Sequence, residues 1–143
     1  MGYRLRMAPP VRTKNPVRAQ GDRLVSLRPG SEDFVVEVET DQHGTLAVGV
    51  ADGEPFAVSN VCRHQFAKLG QGQIREGCLE CPWHRARYDV QSGVMVSGPK
   101  GRIFGFPPYS RMIQLYNNAA FRLRRFPVEV RDDAIYLAPD VQR

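Results

Sequence analysis

Apolar and polar positions alternate in short runs separated by turn residues, the pattern of strands rather than helices. Residues 23–28 alternate around Leu24 and Leu27, and Phe34-Val35-Val36-Glu37-Val38-Glu39 is β-branched and partly alternating. Residues 41–44 read as a turn and 45–50 as a strand. Residues 56–59 then return after Asp52-Gly53, a pair that accepts the left-handed conformations of a tight hairpin. Near the other end, residues 127–131 and 135–138 flank Asp132-Asp133 in the same way. Helical periodicity is confined to residues 109–121, and there is no internal repeat. The pattern predicts an all-β domain of short antiparallel strands over residues 22–143. Residues 1–21 combine Pro9, Pro10 and Pro16 with basic side chains and little apolar content, and read as a flexible basic tail.

A length of 143 residues suits one domain with a single core. No apolar run is long enough to cross a bilayer, and the opening Met1-Gly2-Tyr3-Arg4-Leu5-Arg6 leads into prolines rather than an apolar segment. A cytoplasmic protein without a secretory signal or membrane anchor is therefore expected. In that compartment the three cysteines stay reduced, and cysteines close to histidines point to metal rather than disulfides.

The formal charge of +5 is unevenly spread. Residues 1–21 carry five basic side chains and no acid, residues 22–60 carry 2 basic and 8 acidic (net −6), and residues 61–125 carry 11 basic and 3 acidic (net +8). No nucleic-acid-binding motif accompanies the basic segment, so the charge is read as a solvated surface that steers acidic protein partners.

Within that basic segment stand two short motifs, Cys62-Arg63-His64 and Cys81-Pro82-Trp83-His84, separated by sixteen residues. Each offers one thiolate and one imidazole. Zinc fingers usually draw two cysteines from one element and two histidines from another. Mixed pairs from two loops suit a [2Fe–2S] cluster in which one iron takes two sulfurs and the other two nitrogens. A mononuclear zinc site with the same four ligands is the competing reading. Cys78 forms a C-x-x-C with Cys81, but Pro82-Trp83-His84 follows where a redox motif needs a helix, so Cys78 reads as a partly buried structural thiol. His43 reads as a solvated turn residue.

Cys62-x-His64 and Cys81-x-x-His84 at this separation resemble the signature of the Rieske iron–sulfur proteins. The flanking residues agree: Ala67-Lys68-Leu69-Gly70 after the first pair, Gly77 and Leu79 before the second, then Tyr88-Asp89-Val90, Ser92-Gly93 and Ser97-Gly98-Pro99. The resemblance is firm over residues 55–99 and looser over 22–54 and 126–138. It implies an antiparallel β-sandwich with a small cluster-binding subdomain at about residues 60–99, followed by an insertion at 100–125. It also implies that Cys62 and Cys81 hold the inner iron, and that His64 and His84 hold the outer iron and reach the surface. The branch of the family with a disulfide has an extra cysteine in each loop. The matching positions here are Phe66 and Trp83, which places this chain with the ferredoxin and oxygenase branch. Arg85 stands where the family has glycine, which should bend the loop differently, and Ala86 replaces a serine that hydrogen-bonds cluster sulfur in the high-potential branch.

By this resemblance the chain is a one-electron carrier rather than an enzyme, taking electrons from a reductase and passing them to a terminal oxygenase or reductase. A small Rieske subunit of a larger reductase, of the nitrite reductase type, is the alternative, and a zinc-stabilised binding module the more distant one. Outside the motifs only His43 remains as a histidine, which leaves no pair for the mononuclear iron site of an oxygenase. The sequence does not specify an oligomeric state.

A Rieske cluster is formally neutral when oxidised and gains one negative charge on reduction. A basic surround raises its potential, and the missing serine hydroxyl lowers it. We expect a potential in the lower half of the range of roughly −150 to +300 mV. Potentiometric titration checks this, and a value near the top of the range would contradict it.

Overall fold

The longest apolar run of the sequence becomes the strand around which the other layers assemble. In the computed structural model, which describes residues 16–27, 32–61, 67–82, 85–97, 111–115, 118 and 122–139, this strand is β4 (Gly44–Ala51). Along β4, Leu46, Val48 and Val50 point to one side, while Ala47 and Ala51 point to the other. The period of two along a strand sends alternate side chains to opposite faces. Both faces of β4 are buried, which is why it reads as nearly continuous apolar sequence.

β4 pairs antiparallel with β3 (Phe34–Thr40) and with β5 (Glu54–Ser59), and β1 (Val17–Arg18) completes this sheet in the order β1-β3-β4-β5. One face meets a three-stranded sheet of β10 (Val128–Arg131), β11 (Ala134–Leu137) and β2 (Arg23–Ser26). Leu24, Phe34, Val38, Leu46, Val48 and Ile135 fill the space between the two. The other face meets a second four-stranded sheet: β6 (Gln73–Arg75), β7 (Cys78–Glu80), β8 (Arg87–Tyr88) and β9 (Met95–Ser97). Ala47, Phe56 and Val58 on one side and Leu79, Tyr88 and Met95 on the other make this second core. The predicted all-β fold is thus a sandwich with a third sheet packed on it. No helix among the described residues is long and apolar enough to cross a membrane.

Three hairpins turn on two left-handed residues, namely Asp52-Gly53, Glu76-Gly77 and Asp132-Asp133. Turns of this kind match the right-handed twist of the strands they join. The first and third were expected from sequence. A fifth non-glycine residue in the left-handed region besides Asp52, Glu76, Asp132 and Asp133 is Arg85, at φ 58°. It closes a tight turn in which the Cys81 N–H donates to the Ala86 carbonyl (2.8 Å) and the Arg85 N–H to the Cys81 carbonyl (3.1 Å). At Arg85 itself the backbone takes the conformation that glycine adopts freely, with arginine held in it, while the path of the loop before it lies outside the described residues.

The boundary of the basic tail is also corrected. Val17 and Arg18 pair parallel to Val38 and Glu39 of β3, and Gln20 bridges to Arg23. Ala19 is buried in the first core, and Arg18 forms ion pairs with Glu39 and Asp41. Two small apolar side chains and the open edge of β3 order this stretch, features that composition alone does not reveal. Residues 1–15 of the predicted tail lie outside the described residues. Of the 100–125 insertion, residues 111–115 are helical, as its periodicity suggested, and Asn118 and residues 122–125 are described; its other positions lie outside.

A buried polar network ties the sheets together. Asn60 Nδ2 donates to Glu37 Oε2 (2.7 Å), Gln71 Nε2 donates to Glu37 Oε1 (2.9 Å), and the Gly70 N–H donates to Asn60 Oδ1 (2.7 Å). The Asn60 carbonyl accepts from the Leu69 N–H at 2.7 Å. Gly70 has no room for a side chain, since a Cβ there would sit 2.4 Å from Glu37 Cγ.

Two outcomes follow from these contacts. Asn60→Ala strands the Gly70 N–H and one carboxylate oxygen of Glu37, and should cost roughly 2–4 kcal/mol of stability in denaturant titrations; a cost under about 1 kcal/mol would contradict the network's role. Arg85→Gly relieves the left-handed backbone and should raise stability by about 0.5–1 kcal/mol after glycine's extra unfolded-state entropy is counted. A lower melting temperature for this variant would show that the turn depends on the arginine side chain.

Candidate metal centre

Both ligand loops predicted from sequence leave the second core. The first opens at Val61 and returns at Ala67, and its base is closed by a bridge between Val61 and Lys68. A single 3₁₀ turn, Leu69–Gln71, follows directly and is fastened to β3 through the Glu37 network. The second loop opens at Cys81 and returns at Ala86, its base closed by the peptide hydrogen bond between those two residues. Ala67 and Leu69 at the end of one loop, and Cys81 and Ala86 at the ends of the other, are each fully buried in the same apolar cluster. Sixteen residues of separation in sequence have become one shared foundation.

Of the four candidate ligands, Cys81 is described and is completely buried. Cys62, His64 and His84 lie outside the described residues. The donor set itself, two thiolates and two imidazoles from two loops, has the chemistry of a [2Fe–2S] centre with one sulfur-ligated and one nitrogen-ligated iron. The described part fits that group: Cys81 sits at the inner end of its loop, in apolar surroundings, as the ligand of an inner iron must.

The rung beside Cys81 is braced across three strands. Gln73, Glu80 and Arg87 stand opposite one another on β6, β7 and β8. Gln73 Nε2 donates to Glu80 Oε1 (3.0 Å) and Arg87 Nε to Glu80 Oε2 (3.2 Å), while Arg87 Nη1 reaches Glu76 Oε2 (3.0 Å). Burial alone would raise the Glu80 carboxyl, but the hydrogen bonds from Gln73 and Arg87 and the charges of Arg87 and Arg75 outweigh it and hold the carboxyl below its ordinary value. Removing one partner of such a pair leaves a buried charge, the costly case.

Cys78 is half-buried, and burial together with the Asp89 charge pushes its thiol up, partly offset by Arg87. The shift favours the protonated thiol, in keeping with the partly buried structural role expected of it. Tyr88, the aromatic that follows the second motif, is fully buried in the core beneath the loops. Asp89 shapes the next turn: its carboxylate accepts from the Gln91 N–H (3.1 Å) and the Ser92 hydroxyl (2.7 Å), and its N–H donates to the Val94 carbonyl (2.8 Å). His43 is an exposed turn residue, as expected, with its ring 4.9 Å from that of Phe126.

Sequence reasoning missed the residues that mount the loops. Glu37, Asn60 and Gln71 come from three distant segments with no local motif. Asn118, inside the insertion, was also missed: its side chain accepts from the Met95 N–H (2.7 Å) and donates to the Met95 carbonyl (2.9 Å), as a neighbouring strand would.

Comparison with known proteins points to one family. A profile of the Rieske [2Fe-2S] domain matches residues 18–108. The anthranilate 1,2-dioxygenase ferredoxin subunit of Burkholderia cepacia is 35% identical over 54 residues, 38% of this chain and 50% of that protein. The oxygenase component of dicamba O-demethylase from Stenotrophomonas maltophilia is 34% identical over 88 residues, 62% of this chain and 22% of that protein. The chain therefore spans half or less of the length of these curated relatives. The solved structure of the Sphingomonas yanoikuyae B1 ferredoxin superposes with a TM-score of 0.58 at 22% identity, over 82% of this chain and 97% of that one, a likeness of fold. A cluster-binding family profile over most of the chain, on an all-β fold whose two loops rise from one core, leads to one conclusion: this chain belongs to the Rieske [2Fe-2S] domain family.

Proposed function

We propose that the chain is a one-electron carrier. Cys62 and Cys81 hold the inner iron of its [2Fe–2S] cluster, and His64 and His84 hold the outer one. The cluster, when bound, supplies a reversible one-electron couple. The observation that carries the reading is the shared burial of Ala67, Leu69, Cys81 and Ala86, which sets the bases of both ligand loops in one apolar core. A fixed ligand frame limits reorganisation when charge changes, the condition for fast electron exchange.

The chain's own charges suit such a carrier. Lys68 and Arg85 stand exposed at the bases of the two loops, within the segment of net +8. They favour the reduced, more negative state and draw an acidic partner toward the loops. The similar proteins named as ferredoxin components of dioxygenase systems support a place between a reductase and a terminal oxygenase. A small Rieske subunit of a larger reductase would use the same chemistry with a fixed partner.

The dicamba O-demethylase oxygenase component matches a longer stretch than the ferredoxin subunit does, 88 against 54 residues, and favours a second reading: the Rieske domain of an oxygenase polypeptide. The mass of the polypeptide in its own cells separates the two.

Anaerobically purified protein should contain two irons and two acid-labile sulfides per chain, and give an EPR signal on reduction, by the stoichiometry of a Rieske centre. Cys81→Ser and His84→Ala should each abolish the visible absorption, and Cys78→Ser should leave it intact. Colourless protein, zinc in place of iron, or loss of colour in Cys78→Ser would overturn the ligand assignment.

A further inference from the structure

Residues 111–115 and Asn118 are anchored to the cluster-side sheet on several sides, yet residues 111–115 present large apolar side chains to solvent. Ile113 packs against the core cluster that contains Cys81, Tyr88 and Met95. Asn118 grips both backbone groups of Met95, and Arg122 Nε donates to the Asn118 carbonyl at 3.0 Å. Just beyond, the Leu123 N–H donates to the Gly93 carbonyl (3.0 Å), an approach that leaves a Cβ on Gly93 only 2.5 Å from the Leu123 carbonyl oxygen. Within this clamped segment Met112 is 56% exposed and Leu115 63% exposed. Residues three apart in a helix share a face, so the two form one outward apolar pair while Ile113 turns inward. Side chains held in place and left bare are the reverse of what a lone monomer gains from burial, and methionine is enriched at interface centres.

Resting on the carrier reading above, we propose that the face centred on Met112 and Leu115 is the docking surface for an acidic redox partner protein. Its charge defines the occupant. Arg111 is exposed on the same segment and Arg122 beside it, within the stretch of net +8, so the matching surface is apolar at its centre and acidic at its rim. A second copy of this chain fits poorly, because a symmetric contact through this face would set Arg111 against Arg111. The place is also right for electron transfer: through Ile113 the face rests on the core in which Cys81 is buried. Residues 111–115 of the insertion thus add a docking element to the core on which the second loop is based.

The test uses the full chain in cells of its source organism, with a photo-crosslinking amino acid at position 112 or 115, and at 130 as control, since Val130 is 49% exposed on β10 of another sheet. Positions 112 and 115 should capture a flavin- or iron-containing protein through an acid-rich segment, and position 130 should not. With that captured protein purified, the double variant Met112→Glu, Leu115→Glu should exchange electrons with it about tenfold more slowly or worse, the loss of one interface anchor. Its visible spectrum and melting temperature should match those of the unsubstituted chain. Equal capture at 112, 115 and 130, capture only of lipid, a second copy or a protein without a redox group, or an unchanged exchange rate in the double variant would overturn the docking proposal. An unsubstituted chain that lacks the cluster spectrum would overturn the carrier reading and this proposal with it.

Discussion

The burial of one apolar cluster between the β1-β3-β4-β5 sheet and the β6-β7-β8-β9 sheet is the constraint on which the rest of the structure depends. Ala47, Phe56 and Val58 form its floor, and Leu79, Tyr88 and Met95 its roof, while the ends of both ligand loops are set into it. Loops by themselves carry little positional information, because ordering a free backbone costs about 1–2 kcal/mol per residue. Here the packed residues at the loop bases fix where each loop leaves and rejoins the core. A methylene lost from this cluster would be felt at both loops together, since close-packed interiors transmit strain rather than absorb it.

Polar contacts complete what packing begins. An apolar core is tolerant of sliding, whereas Glu37 accepting from Asn60 and Gln71, with Asn60 holding Gly70, fixes a single register for the chain that follows the first loop. The Gln73–Glu80–Arg87 rung does the same for the strands that carry the second. Both networks bury charge and satisfy it, a combination that specifies geometry more than it adds net stability. The tight turn from Cys81 to Ala86 accepts a left-handed arginine in the same cause, holding local strain within a frame that determines it.

Much of this was legible in the sequence, for physical reasons that can be named. Strands β2, β3, β4, β5, β10 and β11 follow alternation and turn chemistry strong enough to read locally. The two short motifs stood out in the sequence because metal chemistry demands particular side chains at restricted spacings; of their four expected ligands only Cys81 is among the described residues. Strands β6 to β9 are two or three residues long, too short to show a period of two, and become strands only through their neighbours. β1 was hidden in a basic, proline-rich stretch because its pairing with β3 depends on an edge some twenty residues away. Glu37 looks like an outward polar position on an alternating strand; it is buried because a third sheet covers that face, which no local pattern announces. Asn118 is likewise an ordinary asparagine until Met95 is placed beside it.

The central claim is that two loops on one core hold two iron atoms in unlike surroundings, sulfur on the inner and nitrogen on the outer. Mössbauer spectroscopy of protein loaded with iron-57 reads those surroundings directly. The account predicts two distinct iron sites in equal amounts, and on reduction the added electron localised on the nitrogen-ligated one. Two equivalent sites, as four thiolates would give, or a single mononuclear site, would contradict it.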